Sequence, residues 1–242
     1  MSFEEKAFGA TKMNEVLIII PAYNEEKSIA SLIGSIGSVG PGWDVCVVND
    51  CSGDNTSKLL KQLGVRHINL SNNLGIGGAV QTGYKYALRH GYKYAIQVDG
   101  DGQHDPKDIP KLIEKSKEGF HFVVGSRFID RDGFQSTLSR RFGIKIFSLV
   151  IRMFFGEKMT DATSGFRLAD QDVIAEFAQN YPVDYPEPET IVMLMKKKYR
   201  VAEVPVVMRA RAQGDTSIDV FDSVYYMVKV TLAMVFAFFS KQ

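Results

Sequence analysis

The first half of the chain alternates two kinds of apolar pattern. Short β-branched runs, apolar at nearly every position, are followed by longer stretches with helical spacing that close on a glycine. The run "VLIII" (16–20) predicts a strand buried on both faces. A helix over 25–36 comes next, then a strand at "WDVCVVN" (43–49). Asp54 is placed to cap a helix that ends at Gly64, and "VRHINL" (65–70) predicts a third strand. Residues 76–90 read as a helix closed by Gly91, and "YKYAIQV" (92–98) as a fourth strand. Asp105-Pro106 has the form of an N-cap followed by a first-turn proline. The helix it opens runs to Gly119, before the strand "FHFVVGS" (120–126).

Five strands alternating with four helices predict an α/β fold. Its central sheet is mostly parallel, joined right-handedly, with helices on both faces. Ligands of such sheets bind beyond the carboxyl ends of the strands. Three of those ends carry dense polar sequence here: "PAYNEE" (21–26), "NDCSGDN" (49–55) and "DGDGQHD" (99–105). Their convergence on one rim predicts a site. The second half is less regular. It holds an arginine-rich helical stretch, a "DATSGFR" turn (161–167), a "YPEPE" segment (185–189) and a late strand "VAEVPVVM" (201–208). Three divisions are expected: an extension over 1–14, the catalytic domain over 15–215 and an amphipathic helix over 216–242.

Composition narrows the partners. A formal net charge of +1 excludes a polyanion held by bulk charge, nucleic acid included, so any anion is held by local arginines. The two cysteines, Cys46 and Cys51, form neither a metal pair nor a disulfide framework, and a reducing compartment is expected. Residues 1–15 show no secretory core, and no stretch reaches the roughly 18 uninterrupted apolar residues of a spanning helix.

The glycine cluster "NNLGIGGAVQTG" (72–83) follows a strand and opens a helix, as a dinucleotide-binding loop does. Its spacing fails, because Val80 stands where glycine or alanine is required. The glycines read better as close backbone packing near a ligand. In "DGDGQ" two carboxylates are separated by one small residue and can turn toward one cation. Hard Mg²⁺ or Mn²⁺ takes carboxylate and amide oxygens and completes its shell with substrate phosphates. The competing readings are a solvated acidic turn and a simple helix cap before Pro106. His104 reads as a hydrogen-bonded loop histidine.

Six motifs, "IIIPAYNEE", "VVNDCSGDNT", "NLGIGGAVQTGYKYA", "VDGDGQHDP", "VVGSRF" and "DATSGFR", occur in this order. They resemble family 2 glycosyltransferases of the GT-A fold, in the subgroup similar to dolichyl-phosphate mannose synthase. The resemblance spans about residues 15–215. It implies a metal-dependent, inverting transfer of a sugar from a UDP- or GDP-sugar to a polyprenyl phosphate, undecaprenyl or dolichyl. Pro21, Ala22, Tyr23 and Glu25 would line the nucleotide pocket, with Asp50 on the base or ribose and Asp99 on the nucleoside side. Gly78 and Gly100 would let the backbone approach the substrate. Asp101 and Gln103 would bind the Mg²⁺ or Mn²⁺ that bridges the diphosphate. Arg127, Arg140, Arg141 and Arg211 would surround the donor and acceptor phosphates, so that Asp101, Arg127 and Arg211 carry the catalysis. Asp161, Ser164 and Arg167 would either order the acceptor loop or serve structure alone.

A lipid phosphate has a second pKa of about 6 and arrives ionised, so it needs no general base. A saccharide or protein hydroxyl acceptor is the alternative, with Asp161, Glu187 or Glu189 as the base. A catalytically idle nucleotide-sugar binding protein would keep the donor loops without the arginines.

Two apolar stretches complete the picture, 142–155 and 220–239. In the second, Phe221, Val224, Tyr225, Val228, Leu232, Val235, Phe236 and Phe239 draw one helical stripe. The expected role is a surface helix on the cytoplasmic face of the membrane, or on a small membrane-protein partner. A homo-oligomer contact and plain core packing are the alternatives.

Overall fold

The computed structural model describes residues 14–130, 138–182, 186–209, 229–232, 235–236 and 238–239. Chain order runs β1 (Val16–Ala22), α1 (Ile29–Val39), β2 (Asp44–Asn49), α2 (Thr56–Gln62), β3 (His67–Asn69), α3 (Gly75–Arg89) and β4 (Tyr94–Gln97). It continues through α4 (Ile109–Lys117), β5 (Phe122–Ser126), α5 (Leu138–Phe155), β6 (Arg167–Asp170), α6 (Gln171–Gln179), α7 (Pro186–Lys196) and β7 (Val201–Pro205). The strands form one seven-stranded sheet in the order β3-β2-β1-β4-β6-β5-β7. All are parallel except β6, which runs antiparallel to both β4 and β5.

β1 shows why the sheet is covered on both faces. Each of its seven residues is buried. Leu17 and Ile19 join one core with Val80, Tyr84, Phe122 and Phe177, while Ile18 and Ile20 join a second with Ile29, Leu32, Ile96 and Leu168. Strand pleating sends alternate side chains to opposite faces, so a run apolar at every position needs two cores. Gly83 of α3 lies against Ile19, and a Cβ there would collide with that side chain. This glycine brings α3 down onto β1 and so sets the first turn of α3 at the carboxyl rim of the sheet.

Two expectations shift. The helix expected over 25–36 begins at Ile29, because the Glu25 and Glu26 amides donate to Thr56 Oγ1 (2.9 Å) and Asp54 Oδ2 (3.1 Å) instead of entering a helix. β6 was not expected; the "DATSGFR" turn reaches only its first residue, Arg167. Four residues that begin with arginine and end with aspartate carry no strand period. Asp105 does cap the turn at Pro106–Asp108, accepting from the Lys107 amide, and α4 follows directly.

Candidate active site

The carboxyl ends of β1, β2 and β4 lie side by side; the first two of the polar segments that follow them are hydrogen-bonded together, and the third packs against β1. Asn24, at φ 58°, donates its amide to Ser52 Oγ (3.0 Å) and accepts from the Gly53 amide (2.9 Å). The Asp50 amide donates to Ala22 O (2.9 Å), and Asp50 Oδ1 accepts from the Leu74 amide (2.7 Å). Asp50 therefore ties the second segment to the entrance of α3. Gly100 lies so near β1 that a Cβ would stand 3.0 Å from Pro21 O. Burial pushes the Asp54 carboxyl up, yet the hydrogen bonds from Thr56 and Glu26 outweigh it and hold Asp54 below the usual carboxylate value.

These segments enclose a cavity of about 370 Å³ lined by Pro21, Ala22, Tyr23, Glu25, Asp50, Asp99, Gly100 and Asp101. All eight are residues that the sequence nominates. Asn73, just before α3, and Gly75, Ile76 and Ala79 from its start complete the lining. The sequence nominates Gly78 in their place. Gly78 is absent from the lining, and a Cβ on it would strike Leu74. Helical spacing from Gly75 would have separated Ile76 and Ala79 from the opposite face of α3.

The loop over 99–105 turns at Gly102 (φ 73°), and Asp101 Oδ1 accepts from the Gln103 amide (3.0 Å). Asp101 and Gln103 are thus hard-oxygen residues on one tight loop at the cavity, a donor set suited to Mg²⁺ or Mn²⁺. His104 stands apart from that donor set. It is 2% exposed, stacks on Phe166 and accepts from the Asp99 amide through Nδ1 (3.2 Å). Among the described residues, another set of metal-type ligands is His121, Asp170 and Asp172. It lies where β5 begins and β6 ends, at the rim opposite the cavity.

A second layer supports the loop. Arg209 donates its amide to Gln103 O (2.9 Å) and its guanidinium to Asp105 Oδ2 (2.6 Å). Gly165 of "DATSGFR" sits against Asp99, where any Cβ would overlap the carboxylate oxygens. Sequence reasoning passed over Gly165, where any side chain would displace the Asp99 carboxylate.

The arginines divide. Arg127 is 5% exposed and forms a forked ion pair with the fully buried Asp161, Nε to Oδ2 and Nη2 to Oδ1, both 2.6 Å. Nη2 also donates to Thr163 Oγ1 (2.9 Å). The Arg127 fork is therefore turned into the protein, and Arg127 does not line the cavity. Arg167, also buried, donates to Ser164 O, Ala162 O and Thr190 Oγ1. These bonds favour the structural reading of Asp161, Ser164 and Arg167. Glu203 of β7 clamps the same loop, accepting from the amides of Thr160 and Asp161 at 2.7 Å each. Burial pushes the Glu203 carboxyl up, and those hydrogen bonds offset only part of the rise. Arg141 is half-buried on α5. The Arg140 side chain and Arg211 lie outside the described residues.

Comparison with known proteins agrees with this geometry. Residues 17–177 match the family described as glycosyl transferase family 2. The UDP-N-acetylglucosamine–dolichyl-phosphate N-acetylglucosaminyltransferase of Methanococcus voltae is 31% identical over 79% of this chain and 84% of its own. The undecaprenyl-phosphate mannosyltransferase of Micrococcus luteus is 29% identical over 83% of this chain and 86% of its own. Among solved structures, glucosyl-3-phosphoglycerate synthase of Mycobacterium tuberculosis, in complex with Mn²⁺, UDP and phosphoglyceric acid, superposes with a TM-score of 0.71. That likeness is 17% identical and covers 95% of this chain and 80% of the other. With its seven-stranded sheet and its loops gathered at one rim, the chain has the GT-A fold and belongs to glycosyl transferase family 2.

Proposed function

We propose that this protein transfers a sugar, with inversion, from a UDP- or GDP-sugar to a polyprenyl phosphate at a membrane surface. The observation that carries the donor side is the cavity: eight nominated residues from three separate segments line it together. Tyr23 and Ile76 offer exposed apolar faces for a flat base, and Asp50 stands beside them. Asp101 and Gln103 would hold Mg²⁺ or Mn²⁺. The bound ion supplies positive charge for the diphosphate that departs as the sugar leaves. Asp99, which accepts from Gln97 through Oδ1 and lies against Gly165, presents its carboxylate to the donor.

On the acceptor side, Asp161 is withdrawn from the role of general base. Both of its oxygens accept from Arg127, and it has no exposed surface. A hydroxyl acceptor would then need Glu187 or Glu189, whereas an acceptor that brings its own negative charge needs no base, which favours a phosphate. Arg140, Arg141 and Arg211 are the arginines assigned to meet that phosphate. The names of the two relatives above point to the same acceptor class. The direct test is transfer of labelled sugar from a panel of UDP- and GDP-sugars to undecaprenyl phosphate, with free monosaccharides as rival acceptors. Product on saccharide hydroxyls and none on the lipid would overturn the reading.

Membrane attachment falls to α5 and the C-terminal helical residues. No helix among the described residues is long and apolar enough to cross a membrane. Phe238 stacks on Phe154 (4.4 Å between centroids) and meets Phe155 edge-on, while Val230 is fully buried. The C-terminal helix thus has an inner apolar face that the sequence stripe did not include. Its outer face carries the expected stripe residues Leu232, Phe236 and Phe239, all exposed. The stripe residues Phe221, Val224, Tyr225 and Val228 lie outside the described residues. On α5, Leu149 and Met153 are exposed beside Lys145 and Arg152, and the helix carries no acidic residue. Exposed apolar residues among uncompensated cations suit the headgroup region of an anionic bilayer. Leu232→Glu combined with Phe236→Glu should reduce flotation with phosphatidylglycerol liposomes by tenfold or more. Both positions are exposed, so the melting temperature should hold. Unchanged flotation together with a loss of dimer mass would assign this face to self-association.

A further inference from the structure

His104 stands directly behind the carboxylate that the cavity presents. Its Nδ1 accepts from the Asp99 amide at 3.2 Å, which places the proton of the neutral ring on Nε2. Nε2 is buried and has no hydrogen-bond partner among the described residues. It faces Asp99 Oδ2 at 3.8 Å, roughly 0.8 Å beyond an ordinary N–H···O contact. The ring cannot readily turn away. It stacks on Phe166 at 4.9 Å, and its backbone is bridged to Met208.

A buried donor left unpaired is costly, so its persistence calls for a state in which the bond is made. Asp99 is the group that can move to make it. Oδ1 accepts from Gln97 Nε2 at 3.1 Å, and Gly165 leaves room beside Oδ2 that any side chain would close. We propose that His104 is a positioning residue for donor binding: its Nε2–H closes onto Asp99 Oδ2 when a nucleoside diphosphate enters the cavity, and so fixes the carboxylate that meets the nucleoside. The proposal rests on the donor-site reading above. His104 itself touches no ligand.

Two amides separate the functions of the ring. Asparagine places an oxygen near Nδ1 and keeps the bond to the Asp99 amide, but it lacks the Nε2 donor. Glutamine can place an N–H near Nε2. UDP and GDP are titrated into wild type, His104→Asn and His104→Gln in Mg²⁺, with melting temperatures measured alongside. For the nucleotide that wild type binds, His104→Asn should weaken affinity about tenfold to a hundredfold. His104→Gln should come within a few fold of wild type. The chain has four histidines, so the Nε2–H resonance of His104 is assignable by its loss in His104→Asn. That resonance should move downfield on saturation with nucleotide, which a packing role would not require. Equal affinity in all three proteins, equal loss in both variants, or an unmoved resonance would overturn the proposal. Wild type that binds neither nucleotide would overturn the donor-site reading, and this proposal with it.

Discussion

Asp101→Asn is expected to abolish metal-dependent transfer while the protein stays folded. The substitution replaces a charged oxygen ligand with a neutral one on the loop that turns at Gly102. A divalent ion on a departing diphosphate is worth several kcal/mol of transition-state stabilisation. At about 1.4 kcal/mol per tenfold, losing most of that amounts to roughly a hundredfold to ten-thousandfold in rate. The fold should tolerate the change, because Asp101 is only half-buried and an asparagine oxygen can still accept from the Gln103 amide. Stability should stay within about 0.5 kcal/mol, as at other surface positions. The measurement is turnover over a Mn²⁺ series, beside wild type in EDTA. Wild-type turnover undiminished by EDTA would remove the metal from the mechanism, and a fully active variant would remove Asp101 from the metal.

Much of this site was legible because it rests on local chemistry. A strand with an apolar core followed by a dense polar loop marks the carboxyl rim, and β1, β2 and β4 each supply one. Pro21, Asp50 and Asp99 therefore emerged together before any contact was known. What stayed hidden depends on partners distant in sequence. Gly165 is informative only once Asp99 is known to press on it, 66 residues away. β6 is short and opens on Arg167, a residue that local propensity assigns to the surface. Its burial rests on Thr190, in a helix that comes later in the chain. Gly78 stands outside the cavity lining for the opposite reason. A glycine-rich segment suggests backbone near a ligand, yet Gly78 and Gly83 serve packing against Leu74 and Ile19. Arg127 departs further from its expected place. The resemblance implied a phosphate contact, while the carboxylate that pairs with it lies 34 residues on.

That pairing changes what Arg127→Ala should do. A surface phosphate contact, once removed, would cost rate and leave stability alone. Here it would strip the partner from an Asp161 carboxylate with no exposed surface. Breaking a buried pair from one side typically costs about 3–5 kcal/mol. In a domain of this size each kcal/mol is about 2–4 °C, so the melting temperature should fall by roughly 6–20 °C. Arg127→Lys should recover part of that, since an ammonium keeps the charge but not the planar fork. Replacing both partners with apolar residues, Arg127→Met with Asp161→Leu, should restore more of the stability than either single change leaves. Activity should follow a different course. Thr163 and Gly165 ride on the same loop, and Gly165 walls Asp99, so loosening the pair should weaken donor binding even in molecules that remain folded. The double variant should therefore recover melting temperature ahead of donor affinity. Thermal melts and nucleotide titrations on the four proteins separate the two roles. An Arg127→Ala protein that melts with wild type yet has lost turnover would return this guanidinium to the phosphates.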